Sequence, residues 1–349
     1  MVTPLITIDN IPVKTMAVLR DRRLATGGDD GWILIWDVSV PHRRPLELGH
    51  HEGKVCALAE LADGRIISGH DDGWVLLWRP DLPDHPTVVR PGPAPDIGAP
   101  YPRYAGPGVQ AMTALKDGRV AVVKADGAVD LWDPKAELGS LSTWTRLEDN
   151  PQVLAVARLR DGIVTGGMND GRVLVWDLAA PPPSPSLPRR AAPRPPSLPP
   201  HGQQEGPPQT DRKRYSEVGY HHDWVRTVAA LSNGRVVTGG DDGRVLLWNP
   251  ADPDYGPAPL GHHDGWVFAV TALPDGRVAS GGKDGRLLLW DPAGGCIELA
   301  QLGGWIIALA AVTLNQTEVY LVAAQLDHGF SVWPIPTSDY RLAADCNTP

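Results

Sequence analysis

Three histidine pairs are the groups best equipped for chemistry: His50-His51, His221-His222-Asp223 and His262-His263-Asp264. Imidazole beside carboxylate is sound zinc chemistry. Each pair, however, occupies the same place in a repeated phrase, so folding sends the three to different parts of the molecule and not to one focus. GGDDG (27–31 and 239–243) and GGKDG (281–285) look like phosphate loops. They lack the Gly-Lys-Ser/Thr ending, open no helix, and carry acids that repel phosphate. Calcium loops need a denser alternation of acids with a terminal Glu, and nucleophile-elbow patterns are missing. The sequence implies no cofactor and no metal, and catalysis is unsupported.

What positions these residues is the phrase itself. LATGGDDGWILIWD, IISGHDDGWVLLWR, VAVVKADGAVDLWD, VTGGMNDGRVLVWD, VVTGGDDGRVLLWN, VASGGKDGRLLLWD and a decayed LVAAQLDHGFSVWP make seven copies. Their tryptophans, Trp36, Trp78, Trp132, Trp176, Trp248, Trp290 and Trp333, are spaced by 42, 54, 44, 72, 42 and 43 residues. A base period near 42 lies in the range of four-stranded propeller blades. In the sixth copy, alternating Val267–Leu273 predicts a strand, Pro274-Asp275-Gly276 a turn, and Val278–Ser280 the start of a second strand. Asp284-Gly285 then makes a tight hairpin, and apolar Leu287–Trp290 reads as a third strand covered on both faces. Glu298–Gln301 exemplifies an outer strand. No stretch shows a capped helical period.

These residues closely resemble the WD-repeat family: Gly-His, a strand, a Pro-Asp-Gly turn, a Ser/Thr strand, Asp-Gly, and Trp-Asp. The resemblance implies an all-β, seven-bladed β-propeller of four-stranded antiparallel blades, in which His, Ser/Thr, Asp and Trp of a blade form a hydrogen-bonded tetrad. Aligned by spacing, the second repeat supplies His51, Ser68, Asp72 and Trp78, the fifth His221, Thr238, Asp242 and Trp248, and the sixth His263, Ser280, Asp284 and Trp290. The first keeps Thr26, Asp30 and Trp36, with Asp9 in place of His. The third has Asp126 and Trp132 with Val122 at the hydroxyl position, and the fourth Asp170 and Trp176 with Thr165 one residue out of register. The seventh keeps Asp327 and Trp333, with Leu302 and Ala323 at the other places. Seven Asp-to-Trp spacings of six residues carry the resemblance. The family's closing device fits too. Pro4–Asp9 reads as a strand preceding Val13–Leu19, and would become the outer strand of the last blade, leaving no long inner edge.

A single domain over 1–336 with a tail at 337–349 follows, interrupted by Pro-rich inserts at 79–104 and 180–213. The longer insert should emerge between the third and outer strands of the fourth blade as an exposed, disordered loop. Net charge is −9, which opposes nucleic-acid binding. Three widely spaced cysteines give no disulfide framework, and a reducing compartment is the simplest reading. No secretory signal is visible at the start, and the longest apolar run, Trp305–Leu314, is about half a membrane span. A soluble cytoplasmic monomer is therefore expected, with no membrane partner.

Function is left to the surface. In this family the residue before each first strand feeds the top face; in repeats five to seven it is Trp224, Trp266 and Trp305. The residue after the Asp-Gly turn, near the same face, is Trp32 and Trp74 in repeats one and two. Either these rings anchor a partner, since aromatics dominate binding hot spots, or they pack on loops and cement neighbouring blades. Asp29, Asp71 and Asp241 beside them, with the net charge, favour a partner bearing a basic patch. A non-catalytic protein-interaction scaffold is the leading reading. A propeller binding a small ligand or glycan is second, and a propeller enzyme third.

Overall fold

In the sixth repeat, Val267–Ala272, Val278–Gly282, Arg286–Trp290 and Cys296–Gln301 pair in chain order as one antiparallel sheet. Gly285 makes the hairpin possible at φ 73°, and a Cβ there would stand 2.3 Å from the Leu302 carbonyl oxygen of the adjoining loop. The computed structural model describes residues 3–40, 43–90, 107–134, 142–145, 152–159, 163–177, 215–314 and 318–336. Among them the same sheet recurs seven times, giving a seven-bladed all-β propeller with one short 3-10 turn at Pro253–Tyr255.

No blade can bury both faces by itself, and the core is accordingly divided into seven clusters, one between each pair of neighbours. Leu247, Val267, Leu288 and Trp290, for example, pack between blades five and six. The last cluster joins Ile6, Val13, Leu24 and Trp36 to Val312, Val322, Phe330 and Val332, so the first and last blades are sealed like any other pair. Ile6–Ile8 supplies the outer strand of the seventh blade, antiparallel to Gly329–Pro334.

Three expectations need correction. Residues 79–104 are not all insert: Leu82–Arg90 forms the outer strand of the second blade against Val75–Arg79. Pro83 and Pro86 read as strand breakers, but an outer strand has a free edge on which a missing N–H costs little. The remainder of that segment (91–106), and the insert at 180–213, lie outside the described residues. Cys296 is disulfide-bonded, with its partner outside the described residues, whereas Cys56 is a free thiol. Linear spacing cannot show which thiols a fold brings within bonding distance. The third is His51, which is displaced from its expected place beside Ser68.

Six of the seven inner strands open with a bulge. In blades two to seven the register slips between the first and third residues, at Val55/Ala57, Val109/Ala111, Val153/Ala155, Val225/Thr227, Val267/Ala269 and Ile306/Ala308. The extra residue leaves the ladder and is re-aimed. Cys56, Arg226, Phe268 and Ile307 are four such residues, and all four line the mouth of the central channel.

Candidate functional site

The site rests on the loops that the tetrads hold. In blade five, Trp248 Nε1–H donates to Thr238 Oγ1 (2.7 Å), the Thr238 hydroxyl meets His221 Nε2 (2.7 Å), and His221 Nδ1 meets Asp242 (2.9 Å). Blade six repeats the chain through Trp290, Ser280, His263 and Asp284 at 2.7, 2.7 and 2.9 Å. Burial works to raise both aspartates, but the histidine N–H bonds and nearby backbone amides outweigh it and hold Asp242 and Asp284 below the usual carboxylate range. Each tetrad thus ties the second-to-third-strand turn to the loop entering its own blade.

Blade two is wired differently. Trp78 donates to Ser68 (2.7 Å), but Ser68 Oγ meets His70 Nε2 (2.8 Å), and His70 Nδ1 reaches the Gly53 carbonyl (3.2 Å). His51 does not touch Ser68; it pairs only with Asp72 (2.8 Å). The reason is steric. Blades five and six carry Gly240 and Gly282 where this one carries His70, and a Cβ at Gly240 would already crowd His221 Nδ1 at 2.9 Å. The second imidazole therefore pushes His51 outward, to 19% side-chain exposure against 0% for His221.

Burial is the main cause of the His70 ring falling to about 4, with the neighbouring His51 reinforcing it. The unfolded ring titrates near 6.5, so between these values the unfolded chain binds the proton first. Stability is thus held above pH 6.5 and lost as pH falls toward 4, at about 1 kcal/mol per pH unit. His70→Gly should flatten that slope in urea titrations across pH 4–7; parallel curves for parent and variant would contradict the buried neutral ring.

The remaining blades keep the indole; blade one also keeps its hydroxyl partner, and the other three change it. Trp36 donates to Thr26 (2.9 Å). In blade seven the hydroxyl has crossed strands: Ala323 faces Ser331, and Trp333 donates to Ser331 (2.7 Å). In blade three, Val122 faces Asp130, whose carboxylate pairs with the buried Lys124 ammonium. In blade four, Gly166 stands at the hydroxyl position and the buried Trp176 Nε1 has no hydrogen-bond partner.

Above this frame lies the face. Trp32, Trp224, Trp266 and Trp305 are 37%, 40%, 37% and 38% exposed, whereas Trp74 is half-buried against the core of blades one and two. Trp32 sits apart, tilted against His50 at 5.0 Å. The other three form a ladder with cations between the rungs. The Arg226 guanidinium lies 4.8 Å from the Trp224 ring and 5.4 Å from Trp266. The Lys283 ammonium lies 4.5 Å from Trp266 and 5.3 Å from Trp305. Phe268 meets Trp266 edge-on and stacks on Trp305 at 5.6 Å. Arg226 and Phe268 also line the channel mouth, a cavity of about 460 Å³ that includes Lys14, Cys56, Ile307 and Leu326, so ladder and cavity are contiguous.

The three face aspartates are largely engaged within the chain. Asp29 is 3.1 Å from Lys54 and 3.7 Å from Lys14, and Asp241 binds Arg226 through two 2.7 Å bonds. Asp71 accepts the Lys54 amide at 2.8 Å. Burial pushes the Cys56 thiol up, with Lys14 opposing, so it is a poor nucleophile. Among the described residues no three His, Cys, Asp or Glu side chains gather as a metal site.

The sequence pattern described as WD domain, G-beta repeat matches residues 43–79, 214–249 and 258–291, which hold the second, fifth and sixth tryptophan phrases. Three of its seven blades are thus WD repeats. Among solved structures, its fold is similar to the WD40 beta propeller domain of Doa1, with a TM-score of 0.65, 14% identity, and 96% of each chain covered. No curated protein matches the sequence. A WD-repeat propeller fold is consistent with a protein-interaction scaffold, and the ladder beside the channel mouth offers three exposed tryptophans on neighbouring blades.

Sequence reasoning missed Arg226, Phe268, Ile307 and Lys283. A signal was present, since each inner-strand bulge residue stands two places after the loop residue that drew attention to Trp224, Trp266 and Trp305.

Proposed function

We propose that this protein is a non-catalytic interaction scaffold whose protein partner seats on the channel mouth between blades five, six and seven. The observation that carries the reading is three tryptophans, each more than a third exposed, on successive blades and joined through Arg226 and Phe268 to an open cavity. A rigid aromatic anchors a partner at low entropic cost, and truncating one anchor weakens binding by about 2 kcal/mol. With Asp29 and Asp241 already bridged to lysine and arginine, a basic patch on the partner is not required.

The test is a pull-down from the native cell with the parent and the Trp224/Trp266/Trp305→Ala variant, followed by binding kinetics on the recovered protein. Trp266→Ala should melt near the parent and bind about thirtyfold more weakly, mainly through a faster off-rate. A normally folded Trp266→Ala that binds with unchanged affinity would place the partner on another face. The cavity volume also suits a small ligand. A compound that raises the melting temperature of the parent but not of Phe268→Ala would favour that second reading.

A further inference from the structure

We infer that the partner presents a carboxylate, on an acidic and partly apolar segment, to Lys283. This rests on the docking face proposed above. It comes from a charge reversal within the repeat. At the turn position where blades one, two and five carry Asp29, Asp71 and Asp241, blade six carries Lys283. Those aspartates serve the chain itself, two by bridging to cations and one by capping the Lys54 amide.

The other cations at the mouth are likewise spoken for: Lys14 and Lys54 by Asp29, and Arg226 by Asp241. Lys283 differs. Its ammonium is exposed, makes no ion pair or hydrogen bond among the described residues, and rests between the rings of Trp266 and Trp305. Three N–H donors therefore remain for an acceptor from outside. A carboxylate arriving there would meet an ammonium already held between two indole rings, and a charge-assisted bond is stronger than a neutral one. The cavity beside Phe268 gives the same segment a place for an apolar side chain.

The net charge of −9 repels an acidic partner at a distance. At physiological salt such repulsion is largely screened beyond about 8 Å. The contact therefore acts after encounter, and its loss should appear in the off-rate.

The experiment probes the full chain with an array of synthetic twelve-residue peptides, containing equal numbers of acidic, basic and neutral members, each with one central aromatic residue. The parent should retain acidic members preferentially. Lys283→Ala should weaken those by about tenfold, as for loss of a charge-assisted bond, Lys283→Arg should keep them, and Lys283→Glu should shift the preference to basic members. Lys283 is exposed, so all three variants should melt like the parent. An absent acidic preference, or one unchanged in Lys283→Ala, overturns the inference while leaving the docking face intact if Trp266→Ala still loses the peptides. Retention of no peptide, or of the same peptides by Trp266→Ala, overturns both.

Discussion

Trp290→Ala should lower the unfolding free energy by about 3–5 kcal/mol, the range for truncating a buried aromatic. The ring is 1% exposed in the core between blades five and six, and it begins the chain through Ser280 and His263 to Asp284. Truncation opens a cavity and also strips Ser280 of its indole donor, so both terms act in one direction. Trp290→Phe separates them by keeping most of the volume and losing only the N–H, at a cost of about 1 kcal/mol. Blade four supplies the control. Trp176 is equally a core ring, but its Nε1 has no partner, because Gly166 stands where the hydroxyl would be. Trp176→Phe removes a buried unsatisfied donor and should be neutral or slightly stabilising. Urea unfolding of the four proteins decides the matter. Equal losses for the two Trp→Phe changes would mean that the hydroxyl link contributes nothing and that only ring packing counts.

The contrast between those two blades marks where sequence is informative. The seven Trp phrases, the turn glycines and the closing strand at the N-terminus are local patterns, and each maps onto a strand or hairpin of its own blade. Cross-strand partners are not local. Ser331 replaces the hydroxyl at Ala323 only because the two residues face each other, and His70 displaces His51 only because both rings compete for one space. The functional surface was half legible for the same reason. Exposed tryptophans can be picked from loop positions, but that Arg226 and Lys283 would lie between them depends on bulges and on neighbouring blades. An acidic face was expected from Asp29 and Asp241, and charge counting along the chain could not reveal that Lys54 and Arg226 reach across to them. The outer strand at Leu82–Arg90 was hidden by its prolines, whose cost depends on lying at an edge.

Lys124 and Asp130 extend this logic to blade three, which has no tetrad. Both are buried, Lys124 at the place taken by His70 in blade two and Asp130 at the place of Leu76 and Leu288. An ion pair inside a sheet gains attraction in a low-dielectric site and loses the hydration of both ions, so its presence is weak evidence of stabilisation. Breaking it is another matter. Lys124→Ala leaves the Asp130 carboxylate buried without its ammonium and should cost about 3–5 kcal/mol. Asp130→Leu should cost less, because a lysine stem can swing its charge toward water while the stem stays packed. Lys124→Met combined with Asp130→Leu restores the apolar pattern of the other blades, and should recover the parent's stability or exceed it by about 1–4 kcal/mol. Urea unfolding of the parent, the two single variants and the double variant closes the cycle. Single and double variants that lose stability additively would show that the two charges do not interact. A double variant far below both singles would mean that blade three depends on the pair for its register.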